Sequence, residues 1–211
     1  MFNLIKTIFF NLFLITLSIL IVINKIDTTE EIDENMARPY QKANIPGPEM
    51  GSSVSDPKVM VNLLKSPKKK VLVIGSESLR WELDGKKAAD YFVEIAKKLD
   101  CHVISTGHVY KYLKDKINTD KLYDMSLINI TGRLVDIDWK GLDGTGQYEM
   151  AIFGGHLVYY VSQTLSRIKN FSNWVRTIEL DKYSHPNARF SLPNLSDADW
   201  KAFLENIIEL L

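Results

Sequence analysis

Cys101 is the single cysteine among 211 residues, and that scarcity excludes much chemistry at once. One thiol closes no internal disulfide and builds neither a Cys-type zinc site nor a self-contained iron–sulfur cluster, which need several thiolates. It fits a reducing cytoplasm. Histidine is sparse too: His102, His108, His156 and His185 show no H-E-x-x-H spacing. An excess of one charge is also missing, since 26 Lys and Arg offset 26 Asp and Glu to a net charge of +0. The basic run Lys68-Lys69-Lys70 is too short for a nucleic-acid footprint and reads as a solvated approach to a strand. Nucleic-acid binding is therefore not expected.

What is present is ordinary globular material, 45% hydrophobic and 25% charged, in a length that suits one domain with a sizeable core. The N-terminal stretch departs from it. Eighteen uncharged residues, mostly Phe, Leu and Ile, lie between Lys6 and Lys25, at the lower edge of a membrane span. A signal-peptide core would look similar, but no small-x-small cleavage site follows. Residues 1–35 thus read as a hydrophobic extension with an acidic linker, and Met36 opens "MARPYQKANIPGPEMG" like a natural start. A membrane anchor, an uncleaved signal and a wrongly extended start are the three readings.

Beyond that point the pattern is regular. Asp56-Pro57 signals a helix start, and "VLVIG" (71–75) is an apolar run typical of a strand covered on both faces. A helix is expected from near Asp84, with Ala88, Phe92, Ile95, Ala96 and Leu99 on one stripe. "HVIST" (102–106), "SLINI" (126–130), "MAIFGG" (150–155) and "VRTIEL" (175–180) read as strands. "YKYLKDKI" reads as helix, and so does the segment carrying Leu157, Tyr160, Val161, Leu165 and Ile168. A last helix is capped by Ser196 with Asp199 three residues on, and buries Trp200, Phe203, Leu204, Ile207 and Leu211. Strands alternating with amphipathic helices predict a single Rossmann-like α/β domain over 36–211, with a mostly parallel sheet and helices on both faces.

In such a sheet, ligands bind at the C-terminal strand edge. The small residues expected there are Gly75, Ser76, Gly107, Gly154 and Gly155, which mark a candidate cofactor-binding rim. Tight strand-to-helix turns need glycine anyway, and no dinucleotide or P-loop fingerprint is present. The stretch "DIDWKGLDGTGQ" begins like a calcium loop, yet Lys140 takes a ligand position and Gln147 stands where a bidentate Glu belongs. It reads instead as a turn and docking surface, with Trp139, Asp143 and Tyr148 as candidate partner contacts. Cys101 and His102, adjacent on a strand, point to opposite faces and form no dyad. No catalytic set or metal site emerges.

The blocks "KANIPGPEMG", "KKKVLVIGSES", "DWKGLDGTGQYEMAIFGG", "YYVSQTLSRIKNFSNW" and "FSLPNLSDAD" resemble the epsilon subunit family of the archaeal acetyl-CoA decarbonylase/synthase complex, the carbon monoxide dehydrogenase machinery of methanogens. The resemblance runs from about Pro39 to Leu211. It implies a non-catalytic accessory subunit in the cytoplasm, paired with a CO dehydrogenase alpha subunit in a two-alpha, two-epsilon assembly. Nickel–iron–sulfur clusters would sit only in the partner. The family role is stabilising the alpha subunit or assisting electron transfer to FAD, on a fold similar to the NAD/FAD-binding domain of deoxyhypusine synthase. It also favours the wrongly extended start over a membrane anchor. The rival readings are an independent flavin- or dinucleotide-binding protein and a membrane-tethered domain.

Overall fold

The computed structural model of the chain describes residues 47–211; the expectations about residues 1–35 and Met36 lie outside them. In chain order the elements are β1 (Ser52–Ser53), α1 (Pro57–Lys65), β2 (Lys70–Ile74), β3 (Glu82–Leu83), β4 (Lys86–Lys87), α2 (Ala88–Leu99), β5 (His102–Ser105) and α3 (Val109–Leu113). There follow β6 (Leu122–Asp124), α4 (Leu127–Leu134), β7 (Met150–Gly154), α5 (Val158–Phe171), β8 (Arg176–Glu179), β9 (Phe190–Ser191) and α6 (Asp197–Leu210). Short 3-10 turns at Ser76–Leu79 and Thr119–Lys121 complete the set.

β2 forms because its β-branched and Leu side chains are all apolar and alternate between two covered faces. Leu72 and Ile74 pack with Met60 and Leu64 of α1, Phe92 and Ile95 of α2, and Trp200 and Leu204 of α6. Val71 and Val73 face the other way, into Leu127 and Ile130 of α4 and Val161 and Leu165 of α5. Each such side chain, fully buried, contributes roughly 1.5–3 kcal/mol. The helices are thereby held down on both faces. The main sheet has seven strands in the order β1-β9-β8-β7-β2-β5-β6, and every pairing within it is parallel. From β6 to β9 this is the 3-2-1-4-5-6 order of a doubly wound fold, with its switch point between β2 and β7. The expected architecture is what the structure has.

The caps explain where helices begin. The Asp56 carboxylate accepts the Lys58 N–H at 2.8 Å ahead of Pro57, and Ser196 Oγ accepts the Asp199 N–H at 3.2 Å. Ser126 does the same for Asn129 at 3.3 Å, and this overturns the expected strand at 126–130. Leu127, Ile130, Thr131 and Leu134 recur at helical spacing and are the buried residues of α4. The helix expected from Asp84 starts later, at Ala88. Asp84 (φ 48°) and Gly85 (φ 80°) instead form the tight left-handed turn of the β3–β4 hairpin, the Asp-Gly pairing such turns favour. No described helix is long and apolar enough to cross a membrane.

Candidate functional site

At the C-terminal ends of β2 and β7 the two strands approach closely. The Gly75 N–H donates to Gly154 O at 2.9 Å, and the Glu77 N–H donates to Gly155 O at 2.8 Å. A Cβ on Gly75 would lie 2.2 Å from the Gly155 carbonyl oxygen and 2.3 Å from His156 Nδ1. One on Gly154 would meet the Phe92 ring at 2.6 Å. Ser76 opens the four-residue 3-10 turn, and Gly107 (φ 63°) turns the chain after β5 with open space beside it. These five residues do share the strand edge. The packing of Gly75, Gly154 and Gly155 is against the chain itself.

The turn after β7 also has an occupant. Asp181, just beyond β8, accepts the Gly155 N–H at 2.6 Å and the His156 N–H at 3.4 Å. A side-chain carboxylate thus sits where the backbone of this turn would greet an anionic ligand. Around it, Glu179, Asp181 and His185 are each fully buried. Burial pushes both carboxyls to higher pKa, and their mutual proximity pushes Glu179 further. Burial also holds the His185 imidazole down at about 4 and His156 at about 4. The sequence reading missed Glu179 and Asp181, although an acidic residue ending the apolar run "VRTIEL" was a visible signal.

The glycine-rich loop is built differently from its expectation. Tyr148, read as a surface aromatic, is 1% exposed and belongs to the core. Its hydroxyl lies 2.7 Å from His102 Nδ1, and the Trp139 ring packs on it at 5.6 Å between centroids. Burial raises the Tyr148 pKa and lowers that of His102. The expected exposure of Tyr148 is therefore corrected; within the loop, Trp139 is half-buried, and Asp143 and Ile137 are exposed. The loop closes on itself through Gly146 N–H to Lys140 O at 2.8 Å, and Gln147 donates to the Asp136 and Ile137 carbonyls.

Lys69 is its anchor. Its Nζ donates to Asp143 Oδ1 at 2.5 Å, Thr145 Oγ1 at 2.8 Å and Gly146 O at 2.6 Å. The ammonium group, together with the Thr145 N–H, holds Asp143 well below the usual carboxylate range. Lys69→Met removes all three bonds and leaves acceptors that water can reach. The expected cost is about 1–2 kcal/mol after discounting for exposure. Hydrogen exchange should accelerate at 143–146 while β2 and β7 stay protected; unchanged exchange there would refute the anchoring role. Cys101, by contrast, is buried with its thiol pushed up to about 12, too high to supply a thiolate at neutral pH.

At the opposite, N-terminal end of β8 lies a cleft of about 770 Å³ lined by Met50, Phe171, Trp174, Arg176 and Arg189 among others. Phe171, at the end of α5, is 70% exposed, and Met50 is exposed beside it. The "KNFSN" segment sets this geometry. The Ser172 N–H closes the helix on Ile168 O at 2.9 Å, and the Asn170 amide donates to Ser166 O at 2.8 Å. Lys169 ties the helix end to Glu49 O at 3.0 Å and to Asn187 Oδ1 at 2.8 Å.

The family described as CO dehydrogenase beta subunit/acetyl-CoA synthase epsilon subunit matches residues 33–211. The acetyl-CoA decarbonylase/synthase complex subunit epsilon of Methanothrix soehngenii is 33% identical over 172 residues, covering 81% of this chain and 89% of the relative. That of Methanothermobacter thermautotrophicus is 30% identical over 169 residues, 80% and 93% of the respective chains. Subunit epsilon 1 of the same complex from Archaeoglobus fulgidus is 35% identical over 140 residues, 66% and 73% of the respective chains.

Proposed function

The chain belongs to the CO dehydrogenase beta subunit/acetyl-CoA synthase epsilon subunit family, and from that premise we propose that it is an accessory subunit in the cytoplasm that docks on, and stabilises, a CO dehydrogenase alpha subunit in a two-plus-two assembly. Nickel, iron–sulfur clusters and the oxidation of CO belong to that partner. The observation that carries this reading is the cleft with Phe171 and Met50 exposed at its rim and Arg176 and Arg189 beside them. Aromatic, Met and Arg side chains together are the composition of interface centres. Support also comes from the β7 turn, where Asp181 already engages the backbone N–H groups that a flavin pyrophosphate would use.

Co-expression with the catalytic subunit tests it. Phe171→Asp should weaken co-purification by at least about 30-fold, the cost of a 2 kcal/mol hot spot. Trp139→Ala, which trims the loop surface, should weaken it less. Bound to the wild-type chain, the partner should hold its CO oxidation activity longer on heating. If both variants co-purify like wild type and the partner's lifetime is unchanged, this docking reading fails. Titrating the same preparation with FAD tests the other expectation, a flavin at Gly75, Ser76, Gly107, Gly154 and Gly155; saturable uptake would favour an electron-transfer role.

A further inference from the structure

Glu179 ends β8, Asp181 lies two residues beyond, and His185 sits in the connection to β9. One donor atom from each lies within 4.8 Å of the others, and all three residues are fully buried. Both ring nitrogens of His185 lack a hydrogen-bond partner among the described residues, and the Glu179 oxygens make no well-formed hydrogen bond although Asp181 stands beside them. Unmet polar atoms in one buried cluster are costly, since each unmet group forfeits about 1–3 kcal/mol. Two carboxyl groups side by side in a dry interior repel one another if both ionise.

The surrounding chain holds this arrangement in place. Asp181 is oriented by the Gly155 and His156 N–H groups, and a carboxylate has about four lone-pair positions, so each oxygen keeps one free. The connection carrying His185 is pinned: its N–H donates to Ser191 Oγ at 3.2 Å, and the Ser184 N–H donates to Asn194 Oδ1 at 2.9 Å. The Ala188 N–H closes on His185 O at 3.0 Å. Ligand carboxylates oriented by hydrogen bonds to the chain are the usual surroundings of a bound ion.

We propose that Glu179, Asp181 and His185 bind one divalent first-row transition-metal ion, for which Zn²⁺ is the probe, at the end of β8, with water as the fourth ligand. One imidazole and two carboxylates suit borderline ions. Mg²⁺ and Ca²⁺ demand about six or more oxygen ligands, which these three side chains do not supply. Bonds of about 2.0–2.2 Å in a tetrahedron separate donors by about 3.4 Å. Donors that lie within 4.8 Å of one another have at most about 1.4 Å to close to reach that spacing. The ion would tie the end of β8 to the connection leading into β9, and through Asp181 to the turn after β7. This site is independent of any partner and goes beyond the accessory role.

The test uses the untagged full chain, stripped with a chelator, reloaded with Zn²⁺ or Co²⁺ and desalted. Wild type should retain one ion per chain, give the visible absorption of a low-symmetry Co²⁺ site, and unfold at higher temperature with Zn²⁺ than in chelator. Glu179→Gln and His185→Gln should each bind about 100-fold more weakly or worse and lose the thermal increment. X-ray absorption of the wild-type complex should show nitrogen and oxygen ligands without sulfur, a readout that survives even if the variants fail to fold. Failure of the wild type to retain an ion, sulfur in the coordination shell, or variants that bind as tightly as wild type would overturn the site. A proton shared by the two carboxyls would instead make Glu179→Gln at least as stable as wild type, with or without Zn²⁺, and would equally overturn it.

Discussion

Gly155→Ala should unfold at markedly lower denaturant, with a loss of roughly 2–5 kcal/mol. Its backbone has φ +78°, where an L side chain costs about 1–2 kcal/mol. The added Cβ would also stand 2.4 Å from Ser78 Cβ, 2.8 Å from Ser78 N and 2.9 Å from Gly75 O. Forcing such overlap into a packed interior costs about 1–3 kcal/mol more. Because two of the three obstacles are backbone atoms, no rotamer change relieves the clash. Gly107→Ala is the matched control: its φ is +63°, but a Cβ there meets nothing within 4 Å. It should show only the backbone penalty. Urea unfolding of both variants separates them, and equal, small losses would mean that the strand-edge crossing has room to open.

Trp200→Ala should cost about 3–5 kcal/mol, the usual price of emptying a large aromatic site. The indole is fully buried and packs edge-on to Trp81 at 5.5 Å and obliquely to Phe92 at 6.4 Å. Its Nε1–H donates to Leu180 O at 2.8 Å. Loss of that donor leaves a buried carbonyl unmet immediately before Asp181, so the damage should extend to the turn after β7. Trp200→Phe keeps most of the apolar area and loses the donor, which alone is worth about 1–3 kcal/mol. Calorimetry or urea titration should therefore rank wild type above Trp200→Phe above Trp200→Ala. A Phe variant as stable as wild type would deny the bond any importance.

The sheet and its helices were legible because their signals are local and strong. Val71, Leu72, Val73 and Ile74 form an apolar run too short for most helices, and Asp56-Pro57 and Ser196 announce helix starts. The 126–130 segment reads as a strand because a short apolar run fits either period, and only extension to Thr131 and Leu134 reveals the helical one. The Asp-Gly turn at 84–85 was a local signal passed over in favour of the longer amphipathic stripe. β1 and β9 are two residues each, too brief to leave any periodic pattern.

The candidate site was less legible because it is assembled from distant parts. Lys69 reaches the loop across |i−j| = 74 to Asp143, a contact no window of sequence contains. Yet alternation with Val71 and Val73 places Lys69 on the face shared by α4 and α5, a clue hidden by the lysines on either side. Tyr148 looked exposed because it stands among glycines and charges, while its burial depends on His102 and Trp139 meeting it. The acidic end of β8 was visible in "IELD", but its meaning depends on His185 folding back from the next connection.

The outermost strands of the main sheet have one further consequence. β1 spans two residues and β6 three. A margin that short offers too few free amides and carbonyls to seed growth by another polypeptide laid alongside it. Among the described residues, lateral association along the main sheet is disfavoured and contacts with neighbours are left to side-chain surfaces.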